Sequence, residues 1–400
     1  MKSTPSRDQF ACVIVGGGIH GTYLAQRLLE ETSLDRTNIA IVDPHQQLLA
    51  SFREKARACG MESLRSSFVH HLGTEPFGLE HFAEGTDRED ELVPTIDHPP
   101  RPSLDLFLDY AEYVIEKNSL EALHIQSTVE AIFEQGDGPR FRLETTAGLI
   151  ETHNCVLAIG HGGRYRWPDW AVDVDGVEHV WDGFDQDTTV DHTIVVGGGS
   201  TAGHLACTLS ETESVTMITR HPLEWEVLEA DPPWINWSHL ERELHVHPPG
   251  SSERLSVIRD ARYTATVPTY LSQEFETKLE EGSLALEQGE IWTARSDNGS
   301  VQLFQEDGTQ TVTDRIVLAT GFEPVFRHPF IERLASEIGL DRGYRGMPIL
   351  DDQTLEWQRI DGSQTSLYVS GALALGTIGP YAPNIPGARR AADRITKAIS

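Results

Sequence analysis

The stretch ACVIVGGGIHGTYLAQRLLE, residues 11–30, begins as an apolar run and continues as an amphipathic helix. The run at residues 12–15 predicts a buried parallel strand, because such strands are covered on both faces. Between strand and helix, Gly16, Gly18 and Gly21 occupy the spaced positions of G-x-G-x-x-G. The first glycine allows a tight turn, the second admits a pyrophosphate, and the third lets the helix pack on the strand. The stretch therefore predicts a phosphate-binding turn at a helix N-terminus.

A second apolar run, residues 39–42, ends at Asp43. It follows the glycines by about 20 residues, the spacing at which an acid accepts hydrogen bonds from the ribose of an adenosine. The two runs together favour a dinucleotide-binding unit. The alternative is a glycine-rich strand, turn and helix that binds no ligand.

The same plan returns in the second half of the chain. An apolar strand at residues 193–196 leads into Gly197, Gly199 and Ala202, which form G-x-G-x-x-A. The next strand ends at Arg220, where the first unit has its acid. An arginine there suits the 2′-phosphate of NADPH, whereas an acid would repel that phosphate.

Each unit also continues into short alternating strands and closes with an apolar strand that ends in A-x-G. The predicted antiparallel strands are residues 129–133, 141–144 and 149–151 in the first unit, and 284–286, 291–294 and 301–304 in the second. We place a turn at residues 136–138 of the first meander. The closing strands end at Gly160 and Gly321. Two matched units indicate an internal repeat.

We therefore predict an α/β fold with two Rossmann-like, three-layer dinucleotide-binding domains, each carrying a small antiparallel β-meander. Residues 1–188 and 323–400 are assigned to the first domain, and residues 189–322 to a second domain inserted between them. Residues 67–102 are rich in His, Pro and Gly, so we expect a long irregular excursion there. Ser103 is expected to cap the helix that follows.

Composition narrows the class of protein. The 400 residues suit two or three domains, and no apolar run is long enough to span a bilayer. The first ten residues are polar, so we expect no signal peptide and a cytoplasmic location. The four cysteines form no C-x-x-C pair, which favours a reducing compartment and predicts neither a metal site nor a vicinal redox dithiol. They are Cys12, Cys59, Cys155 and Cys207.

The formal net charge is −30, from 62 acidic and 32 basic residues. Such a surface repels nucleic acid and anionic membranes, so neither is an expected partner. Only five of the basic residues are Lys. An ordinary acidic protein would explain the charge, but the scarcity of Lys favours a halophile, in which salt screens dense negative charge.

On these motifs the chain resembles the flavoproteins that have two dinucleotide-binding domains. The long segment 52–101 and the N-I-P-G-A-R block at 384–389 make it similar to the lysine/ornithine N-hydroxylating flavin monooxygenases. The resemblance implies that the first unit binds FAD and the second binds NADPH. The implied FAD residues are Gly16, Gly18, Gly21, Asp43, Val129, Gly160, Gly371 and Ala372. The implied NADPH residues are Gly197, Gly199, Ala202 and Arg220.

The C-terminal return to the first unit departs from that family in one position. The expected return strand at residues 367–370 ends at Gly371, where the family usually has Gly-Asp. This chain has Gly371-Ala372, which removes an acid that would meet the flavin's ribityl or pyrophosphate region. The final glycine turn and helix are expected at residues 379–395.

The resemblance implies a monooxygenase in which NADPH reduces FAD and a flavin hydroperoxide transfers oxygen to a small, amine-type substrate. The protein then supplies positioning and exclusion of water. Arg65 and Asn384 are the candidate catalytic residues near the flavin. One alternative is a reductase of a disulfide or quinone, with Cys59 as the thiol for a disulfide. Another is a redox sensor that binds nucleotide without turnover. The oligomeric state is not predicted.

Overall fold

A computed structural model of the chain describes residues 9–136, 140–263 and 265–399. The first part of the chain alternates strands and helices, and then forms three strands in succession. Its elements are β1 (Gln9–Val15), α1 (Ile19–Glu31), β2 (Ile39–Asp43), α2 (Ala50–Ala58), α3 (Gly78–Gly85), β3 (Leu92–Thr95), β4 (His98–Pro102), α4 (Leu104–Lys117), β5 (His124–Gln126), β6 (Val129–Glu134), β7 (Phe141–Thr145) and β8 (Gly148–Leu157).

The middle and last parts of the chain contain the remaining elements. The middle part has β9 (Val177–His179), β10 (His192–Val196), α5 (Ser200–Leu209), β11 (Ser214–Thr219), β12 (Glu224–Glu226), α6 (Trp237–Glu243), α7 (Ser252–Ala261), β13 (Thr266–Pro268), α8 (Ser272–Glu281), β14 (Leu284–Gln288), β15 (Ile291–Asp297), β16 (Ser300–Gln305), β17 (Gln310–Thr313) and β18 (Arg315–Leu318). The last part has α9 (Pro329–Ile338), β19 (Leu367–Val369), α10 (Leu375–Ile378) and α11 (Ile385–Ile399).

Short 3₁₀ turns connect several of these elements. They lie at Glu89–Glu91, Leu120–Leu123, Asp169–Ala171, Pro232–Ile235, Thr269–Leu271, Val325–Arg327, Tyr344–Gly346 and Gly371–Ala374.

The first sheet has the strand order β5-β2-β1-β8-β7-β6, and β19 pairs with β8. Strands β1, β2, β5, β8 and β19 are parallel, and β6 and β7 continue the sheet as an antiparallel meander. The fold class and the return strand predicted from the sequence are thus confirmed. Residues 137 and 138 of the predicted first turn lie outside the described residues.

One strand of this sheet was predicted as two. Residues 149–151 and the closing apolar run belong to a single ten-residue strand, β8. The polar residues between them are satisfied within the sheet, because Thr152 Oγ1 donates to the Asn154 carbonyl and Asn154 Nδ2 donates to the Ala11 carbonyl. The meander of the first unit is therefore continuous with its parallel sheet.

The second sheet has the order β14-β11-β10-β18-β9, and all its pairings are parallel. The prediction that residues 284–286 open the second meander is wrong. They form β14, which α8 connects to β11 as a crossover, so β14 pairs in the parallel sheet. The meander consists of β15, β16 and β17. Strand β9 precedes residue 189 and still joins the second sheet, and the domain boundaries stay a prediction.

The segment 67–102 is less irregular than predicted. It contains α3 and the antiparallel pair of β3 with β4. Short strands rich in proline carry a weak sequence signal, because proline cannot donate to a ladder. Ser103 caps α4 as predicted, since its side chain accepts a hydrogen bond from the Leu106 amide at 3.0 Å.

The glycine turns pack against the A-x-G strand ends in both units. A Cβ on Gly16 would stand 2.4 Å from the Ala158 carbonyl oxygen, and one on Gly197 would stand 2.5 Å from the Ala319 carbonyl oxygen. A Cβ on Gly21 would stand 1.9 Å from the Gly16 carbonyl oxygen. Any side chain at these positions would force strand and helix apart.

In the part of the chain that the structure describes, no helix is both long enough and apolar enough to cross a membrane.

Candidate functional site

The first glycine turn is tied to the acid at the end of β2. The Gly17 amide donates to Asp43 Oδ2 at 2.6 Å. The other oxygen, Oδ1, accepts from the His45 amide at 2.9 Å and lies 2.7 Å from His45 Nδ1. Asp43 is buried. The carboxylate is therefore fixed beside the turn, as the nucleotide motif requires.

Beyond this bond the turn opens into free space. A Cβ on Gly18 would meet nothing within 4 Å, although Gly18 is the N-cap of α1. No side chain caps the helix there. The free N–H groups of the first turn and the open space beside Gly18 together fit a pyrophosphate.

The C-terminal part of the chain meets this helix start through His20. The His20 ring lies with Nδ1 2.8 Å from Ser370 Oγ, next to Gly371 and Ala372. Its Nε2 atom is buried and has no hydrogen-bond partner. Burial lowers the pKa of His20 to about 4, although the nearby backbone of Pro383 and Asn384 acts to raise it. At neutral pH His20 is therefore an uncharged ring with a polar atom to satisfy.

Asn384 provides another buried polar atom without a hydrogen-bond partner at the same junction. Its Nδ2 donates to Glu229 Oε1 at 3.1 Å, and its Oδ1 is buried without a partner. Buried polar atoms without partners are uncommon in folded proteins and point to a bound group. The chain offers such atoms at Asn384 and His20, where the C-terminal segment meets the first glycine turn.

Arg65 forms hydrogen bonds with the backbone of the second unit. Its guanidinium donates to the carbonyls of Glu226, Val227 and Leu228 at 2.8, 3.1 and 2.6 Å, and to Thr266 Oγ1 at 2.9 Å. These contacts join the first unit to β12 and β13 of the second. Through these hydrogen bonds the guanidinium holds the two units together. A catalytic role for Arg65 stays a prediction.

The second glycine turn is open in the same way as the first. A Cβ on Gly199 would have the Ala265 Cα as its nearest neighbour, at 4.0 Å. Arg220 lies exposed at the end of β11, and its guanidinium forms no ion pair within the described residues. The neighbouring Thr219 hydroxyl instead donates to the His221 carbonyl at 2.7 Å.

The two units meet at a pair of stacked rings that the sequence reasoning missed. Each A-x-G ending is followed by a ring, His161 in the first unit and Phe322 in the second. The rings stack with centroids 4.1 Å apart and planes 9° from parallel, and the Trp181 ring stacks on Phe322 with centroids 4.7 Å apart. Burial, together with the charges of Arg262 and Lys55, lowers the pKa of His161 to about 4. The sequence signal for this pair is that each ring follows directly after the A-x-G ending of its repeat.

A cavity of about 620 Å³ lies beside these rings. All three parts of the chain line it, with His161 from the first, Phe322 from the second, and Ala372 and Pro383 from the last. Its volume suits a small organic ligand. The cavity therefore adjoins the junction where the first glycine turn, His20 and Asn384 come together.

The four cysteines are all buried free thiols. Burial raises the pKa of Cys12 and Cys59 to about 12. Cys59 packs against the second unit, in one apolar cluster with Leu205 and Phe275. Thiols of this kind are poor nucleophiles, because the thiolate is the reactive form.

Residues 13–162 match the protein family described as FAD-NAD(P)-binding. No curated protein matches the chain in sequence. The ornithine N-hydroxylase of Kutzneria sp. 744, solved with reduced FAD, NADP+ and L-ornithine, superposes with a TM-score of 0.80 at 16% identity, over 98% of this chain and 99% of that one.

Two further solved structures cover the chain equally well. L-lysine 6-monooxygenase from Pseudomonas syringae has a TM-score of 0.73 at 16% identity, over 98% of this chain and 99% of that one. Bacillithiol disulfide reductase from Bacillus cereus has a TM-score of 0.64 at 16% identity, over 98% of both chains. At such identities these matches show that the chain has the two-domain flavoprotein fold, as the sequence predicted.

Two glycine substitutions separate ligand binding from folding. We expect Gly18→Ala to weaken FAD binding about tenfold or more, because the methyl group would occupy the open space beside the helix N-terminus. The unfolding free energy of the flavin-free protein should fall by less than about 1 kcal/mol. Flavin fluorescence titration and denaturant unfolding measure the two quantities.

Gly21→Ala is the matched control. Its methyl group would meet the Gly16 carbonyl, so the flavin-free protein itself should lose about 2 kcal/mol. Equal loss of stability in both variants, or full FAD affinity in Gly18→Ala, would contradict the assignment of Gly18 to the pyrophosphate.

Proposed function

We propose that the protein is an FAD-dependent oxidoreductase that takes hydride from NADPH, and that it acts as a monooxygenase on a small amine-type substrate with molecular oxygen. The observation that carries the proposal is that each A-x-G ending, against which a glycine turn packs, leads into a ring at the wall of one cavity. The rings that follow the two A-x-G endings, His161 and Phe322, stack at the wall of that cavity. Two dinucleotides held at these turns would extend toward the same space.

The first unit offers a set of groups that fits FAD. Gly16, Gly18 and Gly21 would hold the pyrophosphate at the start of α1, and Asp43 would accept from the adenosine ribose. We further assign Val129, Gly160, Gly371 and Ala372 to the walls of the FAD site. Bound FAD supplies hydride acceptance and oxygen activation.

The polar groups of the C-terminal junction would orient the flavin. Ala372 offers no carboxylate, but the same junction holds two buried polar atoms that lack a hydrogen-bond partner, His20 Nε2 and Asn384 Oδ1. A neutral imidazole can donate or accept one hydrogen bond, and an amide oxygen can accept two. These two atoms would replace contacts that an acid makes in the family that the chain resembles.

The cavity walls would keep water away from the reacting atoms. Leu255, Val325, Phe326 and Leu375 line it together with the His161 ring. Because its pKa is low, His161 is neutral at physiological pH and offers one N–H donor and one acceptor nitrogen. Excluding water from a reactive oxygen species limits its wasteful breakdown.

In the second unit, Gly197, Gly199 and Ala202 would hold the pyrophosphate of NADPH at the start of α5. Arg220 would bind the 2′-phosphate, since its exposed guanidinium has no acidic partner within the described residues. This arrangement would leave the nicotinamide to extend toward the stacked rings.

A disulfide reductase is the weaker alternative. The chain is similar in fold to a bacillithiol disulfide reductase, but its four thiols are buried, and Cys59 packs away from the first glycine turn. A mixed disulfide needs an accessible thiolate. A quinone reductase needs no thiol, and an experiment must separate that activity from monooxygenation.

Rapid mixing tests the proposed function. We expect NADPH to bleach the absorbance of the FAD-loaded protein without oxygen, and the oxidised spectrum to return when oxygen is admitted. A suitable amine should lower the hydrogen peroxide formed per NADPH consumed, because oxygen then goes into product. Hydrogen peroxide assay and mass spectrometry measure the two outcomes.

Two other outcomes would replace this function. Anaerobic reoxidation by a quinone, with a peroxide yield that no amine changes, would indicate a reductase. Failure of NADPH to bleach FAD would favour a protein that binds nucleotide without turnover. The salt concentration should be high, since dense negative charge is tolerated best when it is screened.

Arg220→Ala tests the choice of nicotinamide. We expect the apparent dissociation constant for NADPH in flavin reduction to rise about tenfold, and that for NADH to change little, because only NADPH carries the 2′-phosphate. Arg295→Ala, an exposed arginine on the second meander, is the control. Equal effects on both nucleotides would refute the assignment.

A further inference from the structure

The cavity beside the stacked rings is strongly basic. Five arginines and one acid, Glu323, line it, although acidic residues outnumber basic ones by 62 to 32 in the whole chain. The arginines are Arg166, Arg259, Arg262, Arg327 and Arg345. They come from all three parts of the chain, so the fold gathers them around one space.

Four of these five arginines lie exposed without an acidic partner among the described residues. Arg166, Arg259, Arg327 and Arg345 are exposed and form no ion pair within the described residues. Arg254, on the same helix α7 as Arg259, shows the contrast, because its guanidinium is buried and holds both oxygens of Asp352 at 2.7 Å. Arg254 and Arg259 therefore differ in their surroundings, since an acid pairs with the first and, within the described residues, none pairs with the second.

The cavity also has an apolar side. Its lining includes Leu255, Val325, Phe326, Ala372, Leu375 and Pro383. A ligand that matches both sides has an apolar body and an anionic group. Arginine suits carboxylates and phosphates because its planar fork binds two oxygens at once.

We propose that the molecule oxidised in this cavity is an organic anion, an apolar body that carries a carboxylate or phosphate in addition to its nucleophilic nitrogen. This inference rests on the proposed function and names its substrate class. A substrate with net positive charge, such as a free diamine, would be repelled by the arginines. The anionic group would bind at the arginines and leave the apolar end toward His161 and Ala372.

The phosphates of NADPH are a second source of the same chemistry. The loop after α7 lies near the second glycine turn, since a Cβ on Gly198 would be 3.8 Å from the Ala265 Cβ. The cavity arginines must therefore be tested against substrate-like anions and against the dinucleotide separately.

Calorimetric titration of the FAD-loaded protein provides the test. The probes are benzoate, benzamide and benzylamine, which share a ring and differ in charge. At constant salt we expect benzoate to bind and benzylamine not to bind, with benzamide weaker than benzoate. The double variant Arg259→Gln/Arg345→Gln should weaken benzoate about tenfold or more, since two charged donors are lost.

Arg295→Gln is the matched control, because it removes one exposed arginine remote from the cavity lining. It should leave benzoate affinity unchanged. NADP+ titrated into the same double variant should bind within about twofold of its original affinity. That result would assign the arginines to the substrate-like anion.

Each contrary result has its own meaning. Equal binding of benzoate and benzylamine, or no binding of benzoate, would overturn the anionic substrate class. Loss of NADP+ affinity with benzoate binding intact would assign the arginines to the dinucleotide and also overturn it. If benzoate binds as expected but NADPH does not bleach FAD, the anion site stands and the proposed function fails.

Discussion

The close approach of each glycine turn to a carbonyl at the end of a neighbouring strand is the constraint on which this structure depends. Gly16 approaches Ala158 and Gly197 approaches Ala319 so closely that no Cβ fits between them. The approach sets the start of each helix against the edge of its sheet and leaves the helix N–H groups open. Because the chain continues from each A-x-G ending into a ring, the same constraint brings His161 onto Phe322 and joins the two units.

Short sequence patterns predicted the glycine turns and most of the parallel strands. The features that they did not predict depend on contacts between residues far apart in the chain. Glycine spacing and apolar runs specify the turns and the parallel strands, because these features depend on residues that are close in sequence. The pairing of β14 with β11 depends on a crossover helix, and alternation alone could not distinguish it from a meander. The hydrogen bonds of Arg65 to carbonyls of the second unit likewise join residues more than 150 positions apart, so no local pattern indicates them. The stacked rings occupy equivalent repeat positions, so a closer comparison of the repeats would have found them.

Charge is distributed unevenly between the surface and the cavity. A chain with net charge −30 pairs many of its arginines with acids, as in the contacts of Arg254 with Asp352 and of Arg315 with Glu213. Around the cavity, by contrast, four exposed arginines form no ion pair within the described residues, namely Arg166, Arg259, Arg327 and Arg345. Basic walls inside an acidic protein would draw anions past a surface that repels them, and this focusing would act over short distances at high salt.

In the proposed function, the two similar glycine turns hold two different dinucleotides, FAD and NADPH, at the same time. The most direct measurement is calorimetric titration of NADP+ into the FAD-loaded protein, with the flavin absorbance followed in the same sample. We expect one NADP+ to bind per chain while FAD stays bound. Displacement of FAD by NADP+, or no binding of NADP+ to the loaded protein, would contradict it.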